Sequence, residues 1–452
     1  MGENRLNFSA IVTSIVIILV LSANEVCALP IGIKRGISPT ERHYKNGLNY
    51  LSEMKLVDAE REFKETLELD PEHTKSILAL ARIAVHKKEY ELAENHCKRV
   101  LKIDPEDAEV HSILGLIHVS LKRFDKAETE FKNAISLDPN LIPPYSHLAS
   151  LYNAMKKPNE ALKQYQTIIK MNPDHTGAHH ALGLTYLTLK SFDNAIREFE
   201  IVAELSPTNP SPRNTIGEIY AYQKQYEDAL REFKEAVKIQ PQFTPAHKNI
   251  GDIYFLSRKH DKAIDQYKMA IKIDPMFAEA HFRLGATYNE QGRLKEAIAA
   301  YKDAITFNPE QPFAYNELAW IYAEEKTNID EALVLAKKAK DLAPEEAGVL
   351  DTLGWIYYLK GDIDQAIANL KAAKQINPNH PDILYHLGMA YYKNGMEDEA
   401  LKELKSVMVF DEKFSEVEEV KRVITNIEKN VQPFVEHNKK EGNAKRYLHN
   451  IM

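Results

Sequence analysis

The chain has 452 residues, 44% of them hydrophobic and 27% charged, a balance that excludes an intrinsically disordered protein. Its net charge of −8 at pH 7 excludes the global basic field of a nucleic-acid binder. The two cysteines, Cys27 and Cys97, leave the redox compartment open, because removal of a targeting segment holding Cys27 would leave one thiol, too few for an internal disulfide.

The chain opens on a short polar stretch, Gly2 to Asn7, with Arg5 its only basic side chain. The uncharged run Phe8 to Leu21 follows; it is shorter than the ~20 residues a membrane-spanning helix needs. Val26-Cys27-Ala28 has the small-residue spacing of a signal-peptidase site and predicts a mature terminus at Leu29. The alternative is an uncleaved membrane anchor within residues 8–23. With the amino end inside, both readings place the remainder outside the cytoplasm. Residues 1–28 are therefore expected to be a signal peptide or anchor. Residues 29–39, with two glycines, two prolines and no helical period, read as a linker.

From Thr40 the chain repeats. Ala278 to Gln311 spans 34 residues and reads as two short amphipathic helices. The first carries Leu284, Gly285 and Tyr288, and Gly292 breaks it. The second carries Ala297, Tyr301 and Ala304, and Pro309 stops it. Small residues stand where two helices must approach closely, with aromatics one turn away. Prolines fall in the same phase at 71, 105, 139, 173, 207, 241, 275 and 309, then at 344 and 378. The small residue of the first helix keeps the beat from Gly47 through Ala81, Gly115 and Ala149 to Gly388, and the alanine of the second helix from Ala59 to Ala400. The Asp or Asn before most of these prolines is pushed out of the α region, ending the second helix, and its side chain can bond backbone in the turn. The phase predicts eleven repeats over residues 40–414. The ninth has one extra residue, expected around Lys326-Thr327-Asn328, and Ala336 where most repeats place Phe or Tyr, which predicts looser stacking there.

This pattern resembles the tetratricopeptide-repeat family, with its 34-residue period and its W-x2-L-G-x2-Y, A-x3-F and P positions. The resemblance implies an all-α fold: a right-handed α-α superhelical solenoid of helix-turn-helix repeats. It implies little about function, since such repeats serve many unrelated partners.

Beyond the repeats, Val417, Val420, Ile424 and Ile427 form one stripe at helical spacing, predicting a helix over 415–430 that caps the last apolar surface. Residues 431–452, with Lys439, Lys440, Lys445 and Arg446, read as a flexible basic tail.

Neither flank of the repeats is long enough for a catalytic domain. There is no phosphate-cradling glycine loop and no CxxC or HExxH pattern, so the chain is expected not to be an enzyme and to need no cofactor or metal. Histidine is the one tempting signal. His175, His179 and His180 cluster, and His43, His111, His179, His247 and His281 share the fourth position of their repeats. As metal ligands they lack a co-ligand keeping the same beat, and equivalent atoms of successive repeats lie a helix pair apart; imidazole packing in place of an aromatic fits better. Cys97 holds an aromatic position of a second helix and reads as apolar filler.

The resemblance also implies that first helices line a concave groove with their second, fifth, sixth, ninth, twelfth and thirteenth positions. In the last three repeats these positions hold Phe313, Trp320, Trp355, Tyr358, Tyr385, Met389 and Tyr392, including both tryptophans of the chain. They either pack within the wall and under the capping helix or anchor a partner, as large aromatics in a concave surface do. The function expected is a non-catalytic protein–protein interaction scaffold or adaptor of the cell envelope, binding a peptide or helix in the groove. The alternative is a non-catalytic subunit of an envelope enzyme or of a polysaccharide or protein export complex. No nucleic acid is expected, and the membrane only through an uncleaved amino-terminal segment.

Overall fold

The computed structural model describes residues 37–411 and 414–429. The expected signal or anchor over residues 1–28, most of the linker and the basic tail lie outside the described residues.

Among the described residues all regular structure is helical. Twenty-two helices alternate along the chain with the phase of the repeat, from Pro39–Ser52 and Leu56–Leu69 to Pro381–Lys393 and Glu397–Phe410, and a further helix covers 417–429. Contacts divide the chain into two compact units between Gln225 and Tyr226. The first holds five helix hairpins and the helix Ser211–Tyr222. The second opens on Tyr226–Ile239, continues with five hairpins and closes on the helix at 417–429. Within each, a second helix packs on its own first helix and on the next one, and several consecutive first helices also touch. No helix of the described residues is long and apolar enough to cross a membrane.

The punctuation follows from local chemistry. Pro39 opens the first helix at a position where its missing N–H is harmless, and Ser38 caps it by accepting from the Glu41 N–H at 3.2 Å. Second helices end at the Asp or Asn before proline, which takes an extended conformation: Asp138 has φ −133° and ψ 95°. Its side chain accepts the Asn140 N–H at 2.9 Å, and Asp70, Asp104, Asn172, Asp274 and Asn308 do the same two residues on.

The turn between paired helices needs one left-handed residue. Lys88, Lys122, Lys156 and Lys190 supply it with φ between 55° and 63°, and Gly292 with φ 70°. A side chain there costs roughly 1 kcal/mol relative to glycine. In the ninth repeat the extra residue falls between Glu324 and Ile329, and both Lys326 and Asn328 are left-handed, at φ 51° and 50°.

Helix pairs close on a size match. A Cβ added to Gly285 would stand 2.8 Å from Tyr301 Cδ1, and Tyr301 is fully buried, so ring and bare backbone occupy one space. Gly47, Gly115, Gly183 and Gly251 meet Phe63, Phe131, Phe199 and Tyr267 in the same way. In two repeats ring and glycine are missing together: the second has Ala81 and Cys97, the ninth Ala319 and Ala336, all fully buried, while Gly354 and Gly388 meet Leu370 and Leu404 instead of a ring. The looser stacking expected of the ninth repeat is not seen in its burial. Ala336 shares a cluster with Leu318, Ile321, Tyr322, Leu353 and Ile356, none of them more than 4% exposed.

The helix at 417–429 buries Val420, Val423 and Ile427, with Phe414 before it, in one cluster with Leu384, Tyr385, Leu404 and Val407. Val417 and Ile424 pack against it, and Lys405 pairs with Glu428 at 2.8 Å. It covers the apolar side of the last helix pair, as the end of a repeat array requires.

Candidate functional site

The fourth-position histidines tie their first helix to the paired second helix and to the proline turn that precedes it. Nδ1 of His43, His111 and His179 stands 2.9, 2.7 and 2.6 Å from Glu62, Glu130 and Glu198 on the paired helix, and His247 Nδ1 is 2.9 Å from Gln266. Nε2 of His179, His247 and His281 lies 2.9, 3.0 and 3.0 Å from the carbonyl of Pro173, Pro241 and Pro275. In the fourth repeat the Tyr145 hydroxyl donates to the matching carbonyl, Pro139, at 3.0 Å. Imidazole and phenol thus tie the first helix to the proline turn. His175 instead caps its helix, Nδ1 accepting the Ala178 N–H at 3.0 Å, and His180 meets the Phe199 ring edge-on at 5.6 Å. Among the described residues no group of three or more His, Cys, Asp or Glu could hold a metal ion. Cys97 is fully buried, and burial pushes its thiol up to about 12, where it is unreactive.

The aromatic residues of repeats nine to eleven lie in the second compact unit, on the helices Pro312–Glu324, Ala347–Lys360 and Pro381–Lys393, and residues 414–429 pack with the last two. Trp355 is the hub. Its indole stacks on Tyr358 at 4.7 Å and 8° and on His386 at 4.3 Å and 26°, and lies 6.0 Å from Tyr385. Trp320 meets the same His386 ring at 5.8 Å, tilted by 49°. The result is a strip running Trp320, His386, Trp355, Tyr358, with Lys393 Nζ over the Tyr358 ring at 4.5 Å.

The seven residues do not share one environment. Phe313 is 43% exposed, and Trp320, Trp355, Tyr358 and Tyr392 are half-buried. Tyr385 and Met389 are buried, at 6% and 8%, beneath Phe414 and the terminal helix, and Tyr385 donates its hydroxyl to Glu419 at 2.9 Å. These two therefore build the wall and present little area to a partner.

His386 is the residue the sequence reading passed over. Its ring is 5% exposed, in contact with both indoles, and its Nδ1 lies 2.9 Å from Asp351 Oδ1. Burial opposes its charge, but the Asp351 carboxylate, with Asp382 and Glu324 further off, carries its pKa above the ordinary histidine value. The buried imidazole stacks on the Trp355 face and meets Trp320 at a tilt.

Carboxylates border the strip. Burial raises the pKa of Glu324, and the negative charge of Glu416 adds to this against the opposing His386. Burial also raises Asp382, with Asp351 and Glu416 adding and His380 and His386 opposing. Repeats seven and eight offer a contrast on the same helix positions. Lys248 Nζ meets Asp252 at 3.1 Å and Glu279 at 3.2 Å, the Tyr267 hydroxyl donates to Asp252 at 2.7 Å, and Arg283 Nε lies 3.5 Å from the same carboxylate. The i, i+4 spacing of Lys248 and Asp252 was the signal available for this network.

Comparisons with known proteins agree on the repeat. Tetratricopeptide-repeat models match residues 50–117, 108–141 and 148–210, and a model of the C-terminal domain of cilia and flagella-associated protein 70 matches residues 208–419. No curated protein matches the sequence. Among solved structures, one of the APC/C hetero-tetramer Cut9-Hcn1 is 13% identical, with 86% of this chain and 96% of that chain covered and a TM-score of 0.47. Yeast Tom70 is 15% identical, covering 87% and 96%, at 0.41. MamA is 22% identical over 36% of this chain and 95% of its own, at 0.33. By its period, its helix pairs and its family matches, the chain carries tetratricopeptide repeats.

Proposed function

We propose that the chain is a non-catalytic scaffold that binds a protein partner, and that a peptide or helix of the partner docks on the first-helix face of repeats nine to eleven. The observation that carries this reading is the pair of half-buried tryptophans, the only two in the chain, joined through His386 into one strip with Phe313 exposed on the same helix. Large aromatics left partly in water beside one another on a first-helix face are typical anchors of protein interfaces. A photo-crosslinking residue at position 313 should trap a partner in cells, whereas the same residue at exposed Leu69 should not. Equal trapping at both positions would sink the reading.

The envelope setting belongs to the proposal and is supported by the uncharged run Phe8 to Leu21 and by Val26-Cys27-Ala28. An amino terminus at Leu29 in the native protein is the expected measurement; an intact Met1 in the membrane fraction would assign an anchor instead. The second reading, a subunit of an envelope enzyme or export complex, rests on the same segment. The crosslinks separate the two: many different segments indicate a scaffold, one stoichiometric partner a dedicated subunit.

A further inference from the structure

Three carboxylates stand near the Trp320 end of the aromatic strip. Glu324 follows Trp320 by one turn on the helix Pro312–Glu324, and Asp382 precedes His386 by one turn on Pro381–Lys393. Because Trp320 and His386 are in ring contact at 5.8 Å, these two carboxylates flank the contact from opposite helices. Glu416 comes in from the start of the terminal segment, close enough for its charge to act on both. None of the three has a Lys or Arg within ion-pair distance among the described residues: Asp382 faces only His380, at 3.5 Å, and Glu416 accepts from Ser415. The cations nearby are otherwise engaged. Lys393 lies over Tyr358, Arg422 pairs with Glu419 at 2.9 Å, and His386 is bonded to Asp351; Lys326 acts on Glu324 only at longer range.

We propose that this end of the strip receives an arginine side chain from a basic, partly apolar segment of a protein partner, its guanidinium stacking on Trp320 and bonding Glu324, Asp382 and Glu416. The inference rests on the docking reading above and names the partner's chemistry. A planar guanidinium is the side chain that can lie flat on an indole while donating in its plane to carboxylates at the ring's edge. Phe313, exposed two turns before Trp320 on the same helical face, supplies apolar area for a residue beside the arginine. The surface already uses this mode on one of its own cations, Lys393 over Tyr358, and stacks the His386 ring on Trp355. The raised pKa values of Glu324 and Asp382 agree with it: partial desolvation and the negative charge of Glu416 disfavour their ionisation, and an incoming cation relieves both.

The test uses the full chain and three blocked heptapeptides carrying one Leu-X pair in an Ala/Gly background, with X arginine, lysine or citrulline, the last a neutral isostere. Tryptophan fluorescence reads binding at the strip directly. The arginine peptide should bind at least tenfold more tightly than the citrulline peptide, with lysine between them. The triple variant Glu324→Gln, Asp382→Asn, Glu416→Gln should lose that preference, while Glu72→Gln, Glu91→Gln, Glu106→Gln, which removes the same charge from exposed sites in the first compact unit, should keep it. Equal binding of arginine and citrulline peptides, no binding up to millimolar concentration, or equal loss in both triple variants would overturn the proposal. So would a tenfold gain in peptide affinity on neutralising Lys439, Lys440, Lys445 and Arg446, which would assign the strip to the chain's own tail. If the crosslinked partner depends on both tryptophans but not on the three carboxylates, docking stands and the arginine falls. If it depends on neither, the docking reading itself fails.

Discussion

The ninth position of the first helix holds Asp252 in the seventh repeat and tryptophan in the ninth and tenth, and the two choices make opposite surfaces within one compact unit. Asp252 is surrounded by donors, with Tyr267, Lys248 and Arg283 all directed at it, and Lys248 is shared with Glu279. Each charge there is answered by the protein itself, so the network has little left to offer a ligand. Trp320 is half-buried, has one ring contact, to His386, and stands near three carboxylates with no Lys or Arg at ion-pair distance among the described residues. The repeat stacks equally well on either surface, because the residues that close it, such as Gly251 on Tyr267 and Gly285 on Tyr301, lie between the paired helices and not on this row. Binding capacity is therefore sought where the fold leaves groups unanswered.

The contrast can be broken first on the charged side. Asp252→Ala would leave Lys248, only 16% exposed, and the buried Tyr267 hydroxyl without their acceptor. Removing one partner of a buried network is strongly destabilising, and with the partial exposure of this one the loss should be about 2 kcal/mol. Chemical denaturation of the variant measures it. Trp320→Ala, by comparison, should cost well under half as much, and a larger cost would show that the indole is a core residue.

The aromatic side should respond to pH where the charged side does not. The folded-state pKa of His386 lies above its unfolded value, so the His386–Asp351 pair contributes stability that is full below the ordinary histidine pKa of about 6.5 and is lost as pH rises through the folded value. The carboxylates facing it are Asp351, Asp382 and Glu324. Thermal unfolding followed through tryptophan fluorescence at constant ionic strength should show a midpoint falling between pH 6 and 8, and Asp351→Asn should flatten that slope. An unchanged slope in Asp351→Asn would mean the pair is not the titrating unit.

How far the sequence could be read depended on whether a feature repeats. Period, proline stops and small-residue positions recur many times, so helix boundaries came out close to the observed ones, and the inserted residue lies between Glu324 and Ile329 as its place in the phase implied. The His-to-Glu ties recur at a fixed separation of 19, as in His43–Glu62 and His111–Glu130, and were available to a reading that looked for partners on the paired helix. The strip occurs once. Which aromatics stay in water depends on where the terminal helix comes to rest, and its apolar stripe announced that it would cover something without saying that Tyr385 and Met389 lay beneath it. The pairing of His386 with Asp351 depends on contact between first helices of neighbouring repeats, a tertiary fact that no local pattern carries.

The most direct measurement compares affinity and stability on one sample: the trapped partner binding to Trp320→Ala, Trp355→Ala, with thermal unfolding recorded on the same protein. Binding should weaken by ~2 kcal/mol or more, about 30-fold, while the unfolding midpoint moves by only a few degrees. A steep fall in the midpoint, with the folded fraction still binding its partner normally, would place the tryptophans in the core and the binding site elsewhere.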